Sequence, residues 1–374
     1  MWQSLHDAWW RLATQPQPAS FPDALACRLL DAGSLAYQAA VSARNTAYDR
    51  GWRRQIQLPC PVVSVGNLTV GGTGKTTCVE LIARTLSAQG RRVAVLSRGY
   101  GGSRTAYWLR DDGQGVRADG QPNLEGVADE PQLLAQRLCG IPILVGARRE
   151  ETGRRACTEF GADALVLDDG FQHRRVRREC DIVLVHARTP MGGWAMLPRG
   201  PMREPVGALR RAHVIIITKA DEAMEMLGAM TERIRALNPE AAIVTAAHEP
   251  DRLIDGHTGA SVELKRLDGA RIGLLSSIGD PAGFEATMRR LHATVLWHTA
   301  RPDHHRYQPA EWPSVVQQGL RPEAVVTTEK DWIRLRPVAA AAPAPVPVWV
   351  LGVRMKLLTG EEALHARLAG LRAR

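Results

Sequence analysis

From Pro59 onward the chain alternates between two hydrophobic rhythms. Short, nearly unbroken apolar runs, most of them rich in β-branched residues, occur at Val62–Val65, Val93–Leu96, Ile143–Val145, Ala164–Leu167, Ile182–Val185 and Val214–Ile217. Between them lie stretches with apolar residues at helical spacing, including Thr76–Gln89, Glu130–Leu138 and Ala147–Phe160. Runs this apolar are buried on both faces, so the pattern predicts an α/β fold with a mostly parallel sheet flanked by helices. A second set of strands is predicted at Ile272–Ser276, Ala293–Leu296, Val325–Thr328 and Val346–Leu351. The stretch Ala247–Ala270 between the sets is polar and reads as irregular. A division follows: a helical segment at 1–57, a first α/β domain at 58–266 and a smaller one at 267–374.

The segment Phe21–Arg54 reads as one long helix or a helix pair. Leu25, Leu29, Leu30, Leu35, Tyr37 and Val41 supply an apolar face, with Arg28, Arg44, Arg50, Arg53 and Arg54 among or after them and Trp2, Trp9, Trp10 and Trp52 nearby. Arginines and aromatics beside an apolar face suit a helix lying in a lipid headgroup layer. Most amphipathic helices pack on a core instead, and the pattern alone favours packing. No run reaches ~18 apolar residues, the length needed to span a bilayer. The uncharged stretch Pro337–Val353 carries Pro337, Pro343, Pro345 and Pro347 and reads as a linker running into a strand.

Composition narrows the class. The chain is 45% hydrophobic and 23% charged, which excludes a disordered or collagen-like protein. Lys and Arg total 48 against 39 Asp and Glu, a net charge of +9 carried almost wholly by arginine. Such an excess fits phosphates, nucleic acid or anionic lipid. The six cysteines form no C-x-x-C pair, as expected of core residues in a reducing compartment. The first residues lack the basic and apolar regions of a signal peptide.

Chemistry concentrates after the first strand. Gly66-Asn67-Leu68-Thr69-Val70-Gly71-Gly72-Thr73-Gly74-Lys75-Thr76-Thr77 joins a strand to a helix. The usual phosphate-loop spacing G-x-x-x-x-G-K-[ST] has Thr69 in place of its first glycine; the rest is intact. Backbone N–H groups of such a loop curl around phosphates, with Lys75 at the β/γ-phosphates and the Thr76 hydroxyl available to Mg²⁺. Thr69, Val70, Gly71, Gly72, Thr73, Gly74, Lys75, Thr76 and Thr77 are therefore the expected nucleotide-binding residues. A second apolar strand ends in Asp168-Asp169-Gly170, and a carboxylate there suits Mg²⁺ in a P-loop protein, Asp168 by position and Asp169 in support. Arg174, Arg175, Arg177 and Arg178 follow at once, fit either to receive an anion or to form an exposed basic turn.

Further short motifs occur in order. They are Ser97-Arg98-Gly99-Tyr100-Gly101-Gly102, Asp129-Glu130-Pro131, Asp168-Asp169-Gly170-Phe171-Gln172-His173, Leu197-Pro198-Arg199-Gly200-Pro201-Met202-Arg203-Glu204-Pro205, Asp303-His304-His305 and Thr327-Thr328-Glu329-Lys330-Asp331. With the phosphate loop, this set resembles the tetraacyldisaccharide 4′-kinase family, the lipid A 4′-kinases, from about residue 20 to beyond 350. The resemblance implies transfer of the ATP γ-phosphate to the 4′-hydroxyl of a tetraacylated glucosamine disaccharide 1-phosphate, with Mg²⁺, at the cytoplasmic face of the bacterial inner membrane. It implies a P-loop domain joined to a smaller α/β domain. It also implies a catalytic Asp129 (in Ala128-Asp129-Glu130-Pro131, where the family has Gly at the first position) and a partner His304, chosen over His305 because it follows Asp303. Lys75, Thr76 and Asp168 match the phosphate and metal residues. Asp169, His173, Arg203 and Glu204 match other positions around the site.

The expected partners are thus the lipid substrate and the membrane surface. With no nucleic-acid motif and only five Tyr and four Phe, nucleic acid is not expected, and no obligate protein partner is evident. A rival comes from Thr218-Lys219-Ala220-Asp221, a [NT]-K-x-D element after a strand, which in P-loop GTPases reads guanine. A GTPase or GTP-dependent metallochaperone is therefore the alternative; a plain helix start capped by Asp221 is the simplest account of the same residues.

Overall fold

The computed structural model describes residues 9, 21–99, 107–112, 116–118, 124, 126–188, 195–303, 305–312, 321–341 and 346–372. The chain begins with the helix α1 (Phe21–Asp49). It continues through β1 (Val62–Asn67), α2 (Lys75–Ala88), β2 (Val93–Ser97), β3 (Tyr107–Asp111) and β4 (Val116–Ala118). Then come α3 (Asp129–Arg137), β5 (Ile143–Val145), α4 (Arg149–Glu159), β6 (Ala164–Asp168), β7 (Cys180–His186), β8 (Val214–Thr218) and α5 (Met224–Leu237). The remainder is β9 (Ala242–Asp255), β10 (Ser261–Val262), β11 (Arg271–Ser276), α6 (Pro281–Arg290), β12 (Thr294–Ala300), β13 (Ala324–Thr328), α7 (Glu329–Ala341), β14 (Val348–Thr359) and α8 (Glu361–Ala369).

The strands form one sheet in the order β12-β11-β13-β14-β9-β8-β7-β1-β6-β2-β5-β3-β4, with β10 paired to β9. Its interior is parallel, and β1, β2, β6 and β8 are buried at every position, as their apolar runs predict. Antiparallel pairing occurs where β3 meets β5 and β4, where β9 meets β10, and between the long strands β9 and β14. The two strand sets are therefore halves of a continuous sheet.

The stretch expected to be irregular contains most of β9. Ala242–Asp255 first runs parallel to β8 and then pairs antiparallel with β14, with a register shift where Val353 faces Pro250. Pro250 and the charged residues around it hide this strand from periodicity, because a proline is tolerated where the ladder is bulged. Pro337 likewise lies inside α7 rather than opening a linker.

The helix α1 packs one stripe on the first half. Cys27, Ser34, Val41 and Asn45 are buried, and Ser34 Oγ donates to the Met196 carbonyl at 2.9 Å. Its other side exposes Leu25, Leu29 and Leu35 at 54%, 68% and 69%. Among the described residues no helix is long and apolar enough to cross a membrane.

Candidate active site

The loop between β1 and α2 turns on two glycines. Gly71 and Gly74 have φ of 104° and 83°, a region that residues with a Cβ rarely adopt. A Cβ at Gly74 would also fall 2.4 Å from the His248 ring of β9. The loop is tied down at both ends: Val70 N–H donates to the Pro201 carbonyl at 2.8 Å, and Asn67 Nδ2 donates to Thr73 Oγ1 at 2.8 Å. Thr77 Oγ1 donates to the Gly74 carbonyl and stands 3.1 Å from His248 Nε2. Backbone N–H groups at the start of α2 thus meet the positive end of a helix dipole, a built-in anion site.

Lys75 opens α2, with Nζ 3.4 Å from Asn67 Oδ1 and 3.8 Å from Asp169 Oδ1. Burial lowers its pKa, and Asp169 opposes that shift. Arg203 grips Asp169 with two hydrogen bonds of 2.8 Å and also reaches Asn67 Oδ1. Burial pushes the Asp169 carboxyl up, but Arg203 and Lys75 outweigh it and hold it near 2. Asp168, one residue back, behaves oppositely. It is buried at the end of β6 and accepts from Ser97 Oγ at 2.9 Å. Burial and then the Asp169 charge raise it to about 6. The chain turns at Asp169, whose φ is 50°, and the next residue must be small: a Cβ at Gly170 would sit 2.6 Å from Leu167 Cβ and 2.8 Å from Ser64 Oγ.

These donors suit Mg²⁺. Asp168 is a buried carboxylate that makes no ion pair within 4 Å among the described residues, though Lys75 and Arg149 act on it electrostatically, and it ends a strand that pairs with the one leading into the Thr76 loop. Among the described residues no group of three or more His, Cys, Asp or Glu is arranged to hold a metal. Mg²⁺ is commonly held by one or two protein ligands together with nucleotide phosphates and water.

Asp129 occupies the first turn of α3, after Ala128 at the cap position, so its carboxylate is not the helix cap. It faces α7 of the second half: Arg334 Nε lies 3.3 Å from Asp129 Oδ2. Its neighbour Glu130 meets Lys330 Nζ at 3.1 Å, and Lys330 lies 3.5 Å from Asp303. Glu130 also acts electrostatically on Lys75 and Asp168, so the start of α3 is within electrostatic reach of the phosphate loop.

The structure thus brings together Thr69–Thr77, Asp168, Asp169, Arg203 and the start of α3. His304 lies outside the described residues. His305 is described and pairs with Glu311 at 2.9 Å. His173 sits on the turn after Asp169, with Nε2 4.0 Å from Glu150 Oε2. Burial, and next the Arg149 charge, lower its pKa to about 4. Glu204 follows Arg203, and its N–H donates to the Leu68 carbonyl at 3.3 Å, while its fully buried carboxylate pairs with Arg44 at 2.9 Å, Asn45 at 2.7 Å and Arg211 at 3.3 Å, anchoring α1. Lys219 has a left-handed backbone and pairs with Asp280 of the second half, while Asp221 pairs with Arg290 at 3.1 Å. Sequence reasoning missed roles for Asn67, Arg149, His248 and Arg334. Asn67 was legible from its place inside the glycine loop; the others carry no local signature.

A phosphate loop, a buried strand-end carboxylate and the acidic start of α3 suit phosphoryl transfer, and comparison with known proteins specifies the family. The family model for LpxK, tetraacyldisaccharide-1-P 4′-kinase, matches residues 26–372. The chain belongs to the tetraacyldisaccharide 4′-kinase family. It is 43% identical to the tetraacyldisaccharide 4′-kinase of Anaeromyxobacter dehalogenans strain 2CP-C over 98% of this chain and 94% of that one. It is 42% identical to that of Syntrophus aciditrophicus over 88% and 89%. The crystal structure of LpxK from Aquifex aeolicus in complex with ATP superposes with a TM-score of 0.69 at 27% identity, covering 91% of this chain and 98% of that one. As a member of this kinase family the chain is an enzyme, and the GTPase or metallochaperone alternative finds no support in these likenesses.

Proposed function

We propose that the chain transfers the γ-phosphoryl group of ATP to the 4′-hydroxyl of a tetraacylated glucosamine disaccharide 1-phosphate, giving the 1,4′-bisphosphorylated lipid. The observation that carries this reading is the Asp129 carboxylate in the first turn of α3, not capping its own helix, with its neighbour Glu130 within electrostatic reach of Lys75. The 4′-oxygen bonds to the γ-phosphorus, the bond to the β–γ bridging oxygen breaks, and the hydroxyl proton passes to Asp129. Phosphoryl transfer has a loose transition state, so positioning and charge neutralisation dominate. Lys75 and the loop N–H groups hold the phosphates. Thr76 and Asp168 would hold Mg²⁺, which when bound neutralises phosphate charge. Arg203 fixes Asp169 beside Lys75, and His304 orients Asp129.

The two halves act as separate units, 58–266 and 267–374, closing over the nucleotide about the β9–β14 pair. The helix α1 lies on the cytoplasmic face of the inner membrane. Supporting this are the exposed Leu25, Leu29, Leu35 and Trp52, beside the exposed Arg28, Arg50, Arg53 and Arg54. Arginines near anionic headgroups contribute ~1 kcal/mol each.

The test is product formation. Purified protein with Mg·ATP and the detergent-solubilised disaccharide 1-phosphate should yield a bisphosphorylated lipid, detected by mass. A folded, ATP-binding sample that leaves the acceptor unchanged defeats the proposal.

A further inference from the structure

The Arg334 side chain is only 8% exposed, yet part of its hydrogen-bonding capacity is unspent. A guanidinium carries five N–H donors. Nη2 donates to Asp331 Oδ1 at 2.9 Å and reaches the Ser277 carbonyl at 3.4 Å. Nε stands against Asp129 Oδ2 at 3.3 Å without hydrogen-bond alignment, and Nη1 donates to nothing among the described residues. Leaving buried donors unpaired is costly, the more so for a charged group.

The surroundings make this a prepared position. Asp331 is fully buried, accepts from Ser277 N–H at 3.1 Å and from Thr328 Oγ1 at 2.8 Å, and so fixes the guanidinium from behind. The open side faces Asp129, whose neighbour Glu130 is within electrostatic reach of Lys75 and Asp168. A cation delivered from the second half therefore stands beside Asp129, and Gly279, two residues past the guanidinium's partner Ser277, approaches Gly72 of the phosphate loop.

We propose that Arg334 is a further catalytic residue, whose Nη1 donates to a non-bridging oxygen of the phosphoryl group as it passes from ADP to the acceptor. The inference rests on the kinase reading above. Charge builds on those oxygens in transit, and a preset donor is worth more there than in the ground state. Because Arg334 belongs to the second half and Lys75 to the first, the group is clamped from both sides only when the halves are together.

The experiment compares wild type with Arg334→Gln and Arg334→Lys in the lipid phosphorylation assay, beside thermal melting. For Arg334→Gln we expect kcat to fall ~10²–10³-fold with KM for ATP within ~3-fold of wild type; an arginine in this role is worth ~10³–10⁵ in other phosphoryl-transfer enzymes. Arg334→Lys, which keeps the charge but loses the fork, should recover about tenfold of that loss. A wild-type kcat in folded Arg334→Gln overturns the proposal. If Arg334→Gln does not fold, Arg334→Lys decides by the same criterion: kcat down tenfold or more with KM held supports the role, and an unchanged kcat overturns it. Absence of product from folded wild type would instead reject the kinase reading itself.

Discussion

Asp129 shows how one side chain changes meaning with its surroundings. In sequence it reads as readily as a helix cap. In the fold Ala128 takes the cap position and Asp129 turns toward Arg334 of the second half. Asp129→Asn should therefore lower kcat by ~10²–10⁴, the usual worth of a positioned base, while ATP binding changes little. An unchanged kcat in steady-state assays would return Asp129 to a helix-start role. The phosphate loop was legible because its residues are contiguous and its glycines have a backbone reason to be there. Arg334 was not, because nothing near it in the chain records that α7 will lie against α3. Glu204 illustrates the opposite case: motif matching grouped it with the site, while its pairs with Arg44, Asn45 and Arg211 tie it to the helix in front.

At the scale of elements, α1 has one side packed on the first half and one side exposed. Its inner stripe is held by Glu204, and Glu204→Ala would leave Arg44 and Arg211 without their carboxylate. Breaking a buried ion pair from one side costs ~3–5 kcal/mol. The melting temperature should drop by roughly 5 °C or more, read by calorimetry. The outer side can be changed without touching that anchor. Replacing Leu25, Leu29 and Leu35 together by Ser should weaken binding to anionic vesicles about tenfold or more, with ATP affinity and melting temperature unaffected. Equal vesicle binding in a flotation assay would remove the membrane role of this face. The parallel strands were legible because full burial writes unbroken apolar runs. The strand β9 was not: its charged residues are spent on partners distant in sequence, as Asp251 is on Arg137.

Across the whole molecule, buried histidines make stability depend on acidity. His173, His186 and His248 each have a pKa lowered to about 4. Burial is the largest cause in each, followed by Arg149 for His173 and by Lys219 for the other two. In the unfolded chain they take a proton near pH 6.5. The unfolded state therefore binds more protons between pH 6.5 and 4, and stability falls as pH drops through that window. The melting temperature should decline by several degrees from pH 7 to pH 5, and His248→Gln should flatten the decline. An identical slope in that variant would exclude His248 as a contributor.

Arg137, at the end of α3, is 4% exposed and meets Asp251 at 2.7 Å, Glu329 at its other nitrogens, Glu80 at 3.8 Å and the Val353 carbonyl at 3.1 Å. Arg252 shares Glu329 at 2.8 Å. Four elements from both halves, α2, α3, β9 and α7, thus balance their charges at one point. Losing any one member strands the others in a poorly solvated place, at a cost of several kcal/mol. Among descendants of this chain, a change at Arg137 should be accompanied by changes at Asp251 and Glu329, so these three columns of an alignment should drift together or not at all.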